Sequence, residues 1–493
     1  MFTPSKYQKA IFEWIVNGTG DAVVQAAAGS GKTTTLIEAS KLLATDKAIF
    51  CGFNKHIVEE LSGRLPKNMS AYTIHSIGLG TLRRKFGRKQ PHINSNKYRQ
   101  ICKDRIFDIS LAHGLENIDS FKLYQSLEQL CRFTRLTLTN RSDIEALWSM
   151  IAHFSLDVEY PELLIREVSR TLDEGEILAR TARQIDFTDM LWLPHQWQLE
   201  PHKNDWIFVD ECQDLSAAQL ELVLKCRANG GRAIFVGDAN QAIMGFAGAN
   251  NDSVAQIIHS TSATVFPLSI CYRCPATHIK LAQELVPEIE AAPNAIEGIV
   301  EEVNYKDLVK SVQEGDLILC RTTAPLIKLC IKLISQRIPA RVRGRDIGKQ
   351  LTTIVDKVAQ IEGFSFSDFG KFLQLYKHDR VMRLQQRENT ESQIESLCDR
   401  IQGIQVCYDE FDAQTTDELC KQLEDLFSDN RPSVMLSTIH RAKGLENHRV
   451  FILEPHKLPL QWSNQKDWEK EQELCLEYVA LTRAKHSLFF VQH

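Results

Sequence analysis

The sequence has no excess of positive charge: 58 lysines and arginines stand against 63 aspartates and glutamates, a formal net charge of −5. That disfavours a protein that coats nucleic acid through a global basic field. A phosphate-rich partner would have to be gripped by a local patch, because only cations near the phosphates release counterions. Long apolar runs are missing as well. Nowhere do about 18 uninterrupted apolar residues occur, and the opening MFTPSKYQKAIFEWIV has no signal-type apolar core. The expectation is a soluble protein of the cell interior, cytoplasmic or, in a eukaryote, nuclear, with no membrane partner. Cysteine lacks a pattern. The 13 cysteines are an odd number without regular spacing, which points to reduced thiols. Cys271 and Cys274 form the only CxxC pair, and no second pair of ligands stands at a metal-binding spacing, so the pair reads as incidental. Internal repeats, low-complexity segments and long linkers are absent too.

What is present is enough apolar material for more than one core. At 493 residues the chain exceeds what a single core organises, and several domains are expected. Short β-rich runs alternate with helical patterns in two regions, as in α/β sheets. The first covers 1–78 and resumes over 185–270, with strand candidates DAVVQAA (21–27), KAIFCGF (47–53), WIFVDE (206–211) and RAIFVGD (232–238). The second covers 271–346 and 430–493, with GDLILCR (315–321), SVMLSTI (433–439), RVFILE (449–454) and HSLFFVQ (486–492). Residues 79–184 and 347–429 read instead as helices, with apolar residues at three- and four-residue spacing, as in FKLYQSLEQLCRF. Each is taken as an insertion into its α/β region, the second a reduced one.

The strongest local signal is AAAGSGKTT (26–34), which follows a strand pattern and opens a helical one. That is the context a phosphate-binding loop requires. Gly29 and Gly31 let the backbone aim its N–H groups at phosphate oxygens, and the following helix adds its positive end. The candidate nucleotide contacts are Ala28, Gly29, Ser30, Gly31, Lys32, Thr33 and Thr34. Lys32 would pair with the β- and γ-phosphates, and Thr33 would place a hydroxyl on Mg²⁺. Ala26 replaces the first glycine of the usual pattern, at a loop entry that needs only ordinary backbone angles. IFVDECQD (207–214) ends a strand in two acids: Asp210 to hold Mg²⁺ through its water shell, Glu211 to orient or deprotonate an attacking water. In VGDANQ (236–241), Gln241 can hydrogen-bond a γ-phosphate or that water. Each of the last two alone could be a solvated strand end or loop. A guanine nucleotide is not expected, since NKH (54–56) lacks the following aspartate that reads guanine.

Taken in order, Gln8, AAAGSGKTT, FNK, TIHS, VDECQD, VGDANQAIMGFAGA, YRCP, STIHRAKGLE and EYVALTRAK resemble the UvrD/Rep family of superfamily-one DNA helicases. FNKHIVEEL and TIHSIG look most like the helicase core of the F-box DNA helicase branch, although no F-box is apparent. The resemblance implies an α/β fold of two RecA-like P-loop NTPase lobes, each with a helical insertion. It implies ATP and Mg²⁺ as cofactors, and single-stranded DNA and its junctions with duplex as partners. It further implies 3′-to-5′ movement in DNA repair, recombination or replication. By the resemblance, Gln8 reads adenine, Tyr272 stacks on it, Glu446 contacts the ribose, and Arg273 and Arg483 are γ-phosphate arginines. Two guanidiniums from the second region would neutralise charge on the transferring phosphoryl group and make cleft closure depend on ATP.

The same resemblance puts DNA contacts at Phe53, Asn54, Lys55, Thr73, His75, Phe246 and His440, on a side facing away from ATP. Aromatic platforms and phosphate-gripping polar groups are what a single-strand track needs. Met244 and Ala247 depart from the family's Tyr and Arg, and the lost Arg removes a DNA contact. LRRKFGRK (82–89) and RVRGR (341–345) are local basic segments that could equally be solvated faces. The second insertion is shorter than the ~100–150 residues of a full domain, so it carries no expectation of the autoregulation that longer members show. Two other outputs stay open: a translocase that strips proteins from DNA without strong unwinding, and an ATP-gated DNA-sensing module of a larger complex.

Overall fold

Runs such as AVVQA, AIFCG and IFV are apolar at nearly every position, the signature of strands covered on both faces. In the computed structural model, which describes residues 2–45, 47–52, 54–113, 120–154, 156, 158–243, 253–386, 390–427 and 434–492, they form two parallel sheets, one in each of two units.

The first unit comprises residues 1–26 and 31–268. Its strands are β1 (Ala22–Ala26), β2 (Ala48–Gly52), β3 (Met69–Thr73), the two-residue β4 (His92–Ile93) and β5 (Gln184–Ile185), β6 (Asn204–Val209), β7 (Arg227–Gly237) and β8 (Thr264–Leu268). The main sheet runs β3-β2-β6-β7-β1-β8, every pairing parallel, while β4 and β5 pair separately. Successive residues point to opposite faces. Val24, Phe50, Phe208 and Ile234 therefore join one core, and Val23, Ile49, Ile207 and Phe235 join another. The two edge strands escape the sequence reading for a physical reason. β3 is MSAYT, with alternate residues exposed, and β8 is TVFPL, whose Pro267 is tolerated because edge strands need fewer ladder donors.

Among the described residues, six helices lie between β3 and β6: Ile74–Phe86, Lys97–His113, Ser120–Thr137, Ile144–His153, Pro161–Thr181 and Asp189–Gln196. They have a core of their own, including Leu127, Leu130, Leu164, Val168 and Leu172. Inside this unit is an ionic cluster that the sequence reading did not single out. Lys97 Nζ lies 2.6 Å from Asp189, and Arg135 Nη1 lies 2.8 Å from Asp186 and 2.9 Å from Asp189. Arg135 also covers the Tyr98 ring at 3.6 Å. Charges this deep persist only when paired and hydrogen-bonded.

The second unit comprises residues 27–30 and 269–493. The first part of the phosphate loop therefore packs with this unit, which the chain order does not reveal. After the two-residue pair β9 (Ile270–Cys271) and β10 (Glu290–Ala291), the strands are β11 (Ile299–Asn304), β12 (Leu317–Cys320), β13 (Ala340–Val342), β14 (Val434–Thr438), β15 (Asn447–Leu453) and β16 (Ala484–Gln492). They form a second parallel sheet in the order β11-β16-β15-β12-β14-β13. The reduced insertion is helical, at Arg345–Ala359, Phe369–Gln385, Glu391–Glu410 and Thr416–Leu426. Unlike the helices of the first unit, these share one core with the sheet: Leu351, Phe369, Ile404 and Leu423 cluster with Ile318 and Leu436. Asp399 accepts hydrogen bonds from Thr323 N and Ala324 N at 2.8 and 2.9 Å, so an insertion residue caps the helix Ala324–Ser335 of the sheet layer.

Candidate functional site

Parallel strands send every strand-to-helix loop to one end of a sheet, and ligands of such sheets bind there. In the first unit the loops after β1, β6 and β7 end beside one another. Two residues of the β1 loop, Gly29 (φ +66°) and Gly31 (φ +78°), adopt the left-handed backbone that glycine accepts without strain. Gly31 caps the helix Lys32–Ser40. A buried chain of hydrogen bonds fixes this start. Thr35 Oγ1 donates to Gly31 O at 2.9 Å, and Gln8 Nε2 donates to Thr35 Oγ1 at 2.9 Å. Gln8 Oε1 accepts from Ser5 N, closing the capping box of the helix Lys6–Asn17. Gln8, expected to read adenine, is only 3% exposed and here braces the first helix against the loop helix.

Lys32 Nζ lies 3.5 Å from Glu211 Oε1, and Thr33 Oγ1 donates to Asp210 Oδ2 at 2.9 Å. Thr34 follows in the first helical turn, half-buried. Burial first, then the neighbouring Glu211 charge, raises the Asp210 carboxyl to about 6, while Lys32 and the Thr33 hydroxyl pull it back. A hydroxyl and a buried carboxylate in contact form an all-oxygen set that suits Mg²⁺, and a cation would relieve the repulsion between Asp210 and Glu211. Among the described residues no cluster of three metal-ligating side chains occurs. Mg²⁺ held by few protein ligands, with phosphate and water as the others, is compatible with such a pair.

Two residues that the sequence reading passed over complete the array. Gln213, 1% exposed, donates Nε2 to Glu211 Oε2 at 2.5 Å and accepts from Asp238 N at 3.1 Å. Asp238 in turn accepts from Gln241 Nε2 at 2.6 Å. Its carboxyl is raised by burial and drawn down by the Lys32 charge and the Gln241 amide. A side chain on Gly237 would put Cβ 2.4 Å from Gln213 Oε1, so glycine is what lets the amide sit there. The one hint in the sequence is a polar residue within the otherwise strand-bounded DECQD. Glu211 itself stands at φ +54°, a sparsely populated conformation for a side chain other than glycine.

In the second unit, Ala28 N donates to Tyr478 Oη at 3.0 Å and Tyr272 N donates to Gly29 O at 2.9 Å. Ser30 is fully buried, and its hydroxyl has no hydrogen-bond partner. Tyr272 is half exposed. Two expected site residues meet directly: Arg273 Nε lies 2.6 Å from Glu446 Oε2, and Lys485 Nζ lies 2.5 Å from Glu446 Oε1. Arg483 is placed differently from a presented arginine. It is 1% exposed, with Nε donating to Val479 O and Nη1 to Leu445 O, because its helix end folds the guanidinium onto carbonyls. The CxxC pair stays thiol. Cys274 N donates to Cys271 Sγ at 3.4 Å, and Cys271 is lowered to about 7, first by the Cys274 thiol and then by backbone N–H groups working against burial.

Of the expected DNA contacts, Phe53 and Phe246 lie outside the described residues, as do Met244 and Ala247. Asn54 and Thr73 are both helix N-caps, accepting from Ile57 N at 2.9 Å and Ser76 N at 3.1 Å. Lys55 is exposed, 3.4 Å from Glu59. His75 is half-buried and its imidazole is lowered by burial, with Asp186 opposing. These four follow β2 and β3, so they stand at the same sheet end as the phosphate loop. The strand order displaces β3 from β1 by four spacings, about 19 Å. His440, in the second unit, is pushed down to about 3 by burial and by Arg321 and Arg441. It is neutral at physiological pH and offers a ring and a hydrogen bond, not a cation.

The family pattern described as the UvrD/REP helicase N-terminal domain matches residues 7–262. F-box DNA helicase protein 1 of Schizosaccharomyces pombe is 24% identical over 98% of this chain and 56% of that protein. A probable DNA helicase II homolog of Mycoplasma genitalium is 23% identical over 96% of this chain and 82% of that protein. ATP-dependent DNA helicase PcrA of Staphylococcus epidermidis is 30% identical over 28% of this chain and 19% of that protein. The chain thus spans about half the length of the F-box relatives it matches. With the family pattern over more than half of the 493 residues, and the phosphate loop, DECQD and Gln241 brought to one sheet end within it, the chain belongs to the UvrD/REP helicase family.

Proposed function

We propose that the chain is a motor that hydrolyses ATP with Mg²⁺, moves 3′ to 5′ on single-stranded DNA, and opens duplex at single-strand junctions. The observation that carries this reading is the array at the first sheet's end: Lys32 beside Glu211, and Thr33 bonded to Asp210. Lysine and the loop N–H groups receive the phosphates, Thr33 and Asp210 hold Mg²⁺, and Glu211 orients the attacking water. The names of the helicase relatives support DNA as the track, and Asn54, Lys55, Thr73 and His75 are the described groups of the first unit assigned to it, beside Phe53 and Phe246. Lys32→Ala is expected to abolish turnover, and substantial DNA-stimulated ATPase in that variant would refute the site. ATPase and strand separation measured together on 3′-tailed, 5′-tailed and blunt duplexes test direction and output. Activity confined to the 5′-tailed substrate would overturn the polarity.

One observation favours translocation with weak unwinding as the alternative output. The insertion helices of the second unit share the sheet's core instead of forming a core of their own. ATP-driven displacement of a bound protein from single-stranded DNA, without opening of the tailed duplex, would select that reading.

A further inference from the structure

Between Glu60 and Asp104 the chain carries ten lysines and arginines and not one acid. At its own frequency of 63 acids in 493 residues, such a stretch of 43 would hold five or six. In an acidic protein this asymmetry is a local field, of the kind phosphates respond to.

The structure gathers the centre of that stretch into one exposed group. The helix Ile74–Phe86 ends in Arg83, Arg84 and Lys85, and Gly87, at φ +65°, turns the chain so that Arg88 and Lys89 follow at once. All five side chains are exposed. Arg84 donates to Glu200 O at 2.8 Å, whereas no carboxylate among the described residues pairs with Arg83, Lys85, Arg88 or Lys89. Cations in a last helical turn are favoured by the helix dipole, which accounts for the first three. It does not account for the two beyond the turn, outside the helix.

Two features set the kind of partner. First, the group exposes no aromatic ring: Phe86 is partly buried, packed edge-on against Trp197 at 6.0 Å. Single-strand sites pair cations with stacking rings, whereas a duplex offers only its phosphates to such a surface. Second, the helix begins at Thr73 and His75, the assigned strand contacts, and its 13 residues put the cations about 20 Å away at the other end. That is about the width of a duplex.

We infer that Arg83, Lys85, Arg88 and Lys89 form a docking surface for the phosphate backbone of the duplex arm of a tailed DNA. The surface is sequence-independent and separate from the single-strand track. This rests on the reading of the chain as a DNA motor.

The test uses the full chain and the variant R83Q/K85Q/R88Q/K89Q, with binding to a 3′-tailed duplex and to the tail strand alone measured between about 50 and 200 mM salt. Each lost phosphate contact flattens the slope of log affinity against log salt by about 0.9. On the tailed duplex the slope should flatten by about 2–4, and affinity should fall at least tenfold at the lower salt. Affinity for the single strand and its stimulation of ATPase should stay within about twofold. Equal loss on both DNAs would overturn the assignment to duplex, and no loss on either would make the group a solvated face. An unchanged melting temperature guards against misfolding, and R83K/R88K, which keeps the charge, should bind as the unaltered chain does. If the quadruple variant does not fold, R88Q/K89Q, outside the helix, carries the same test with about half the slope change. An ATPase indifferent to DNA, in a chain whose duplex binding still depends on these four cations, would overturn the motor reading and leave the surface standing.

Discussion

Gln213→Met is the most informative perturbation of the nucleotide site, because methionine fills nearly the same space while removing both hydrogen bonds. It leaves Glu211 Oε2 without its amide donor and the buried Asp238 N–H without its acceptor. A hydrogen bond to a charged group contributes about 1.5–3 kcal/mol, and an unsatisfied buried N–H costs about 1–3 kcal/mol. Glu211 is partly exposed, so water recovers some of the first loss, and the expected destabilisation is about 2–4 kcal/mol. For a unit of this size that lowers the melting temperature by roughly 5–10 °C. The functional loss should exceed what stability explains. With Glu211 held at an unusual backbone angle and its Oε2 no longer positioned by the Gln213 amide, kcat measured well below the melting transition should fall roughly 10- to 100-fold, equivalent to about 1.4–2.7 kcal/mol of barrier. KM for ATP should change little, because Lys32 and the loop are untouched. Thermal melts by circular dichroism and steady-state ATPase with saturating single-stranded DNA read both quantities. A variant that melts with the wild type and keeps its kcat would refute the linkage from Glu211 through Gln213 to Asp238.

Two further predictions follow from burial. The Asp210 carboxyl is raised to about 6 from an ordinary 3.8, so ionising it in the fold without a cation is unfavourable. The unfolded chain ionises first as pH rises, stability is lost between about 3.8 and 6, and the deficit above 6 is about 2–3 kcal/mol. Asp210→Asn should therefore melt higher than wild type at pH 7–8, by an amount that shrinks toward pH 4, while its Mg²⁺-dependent ATPase is lost; a lower melt at pH 8 would contradict the assignment. Gly78→Ala would place Cβ 1.8 Å from Met190 O, forcing the helix Ile74–Phe86 away from Asp189–Gln196. Overpacking against backbone should cost about 3 kcal/mol or more in urea unfolding, and an unchanged midpoint would refute the close packing.

The sequence by itself determined the parts of this protein whose chemistry is contiguous. Gly29, Gly31, Lys32 and Thr33 can serve one phosphate loop because nine residues suffice to build it, and apolar runs doubly covered in a parallel sheet announce their strands. It also carried the order of motifs that places the chain in its family. The tertiary structure decided everything that depends on which strand lies beside which. The order β3-β2-β6-β7-β1-β8 brings Asp210, Glu211 and Gln241 to the loop and displaces Asn54 and Thr73 along the same edge, a placement no spacing along the chain encodes. It enclosed Arg483, set Gln213 between two acids, and paired Lys97 and Arg135 with Asp186 and Asp189 across as many as 92 residues. Such groups look like ordinary polar residues in sequence, because burial and partnership are properties of the packed chain. Composition alone would likewise not have told that one helical insertion keeps its own core while the other shares the sheet's.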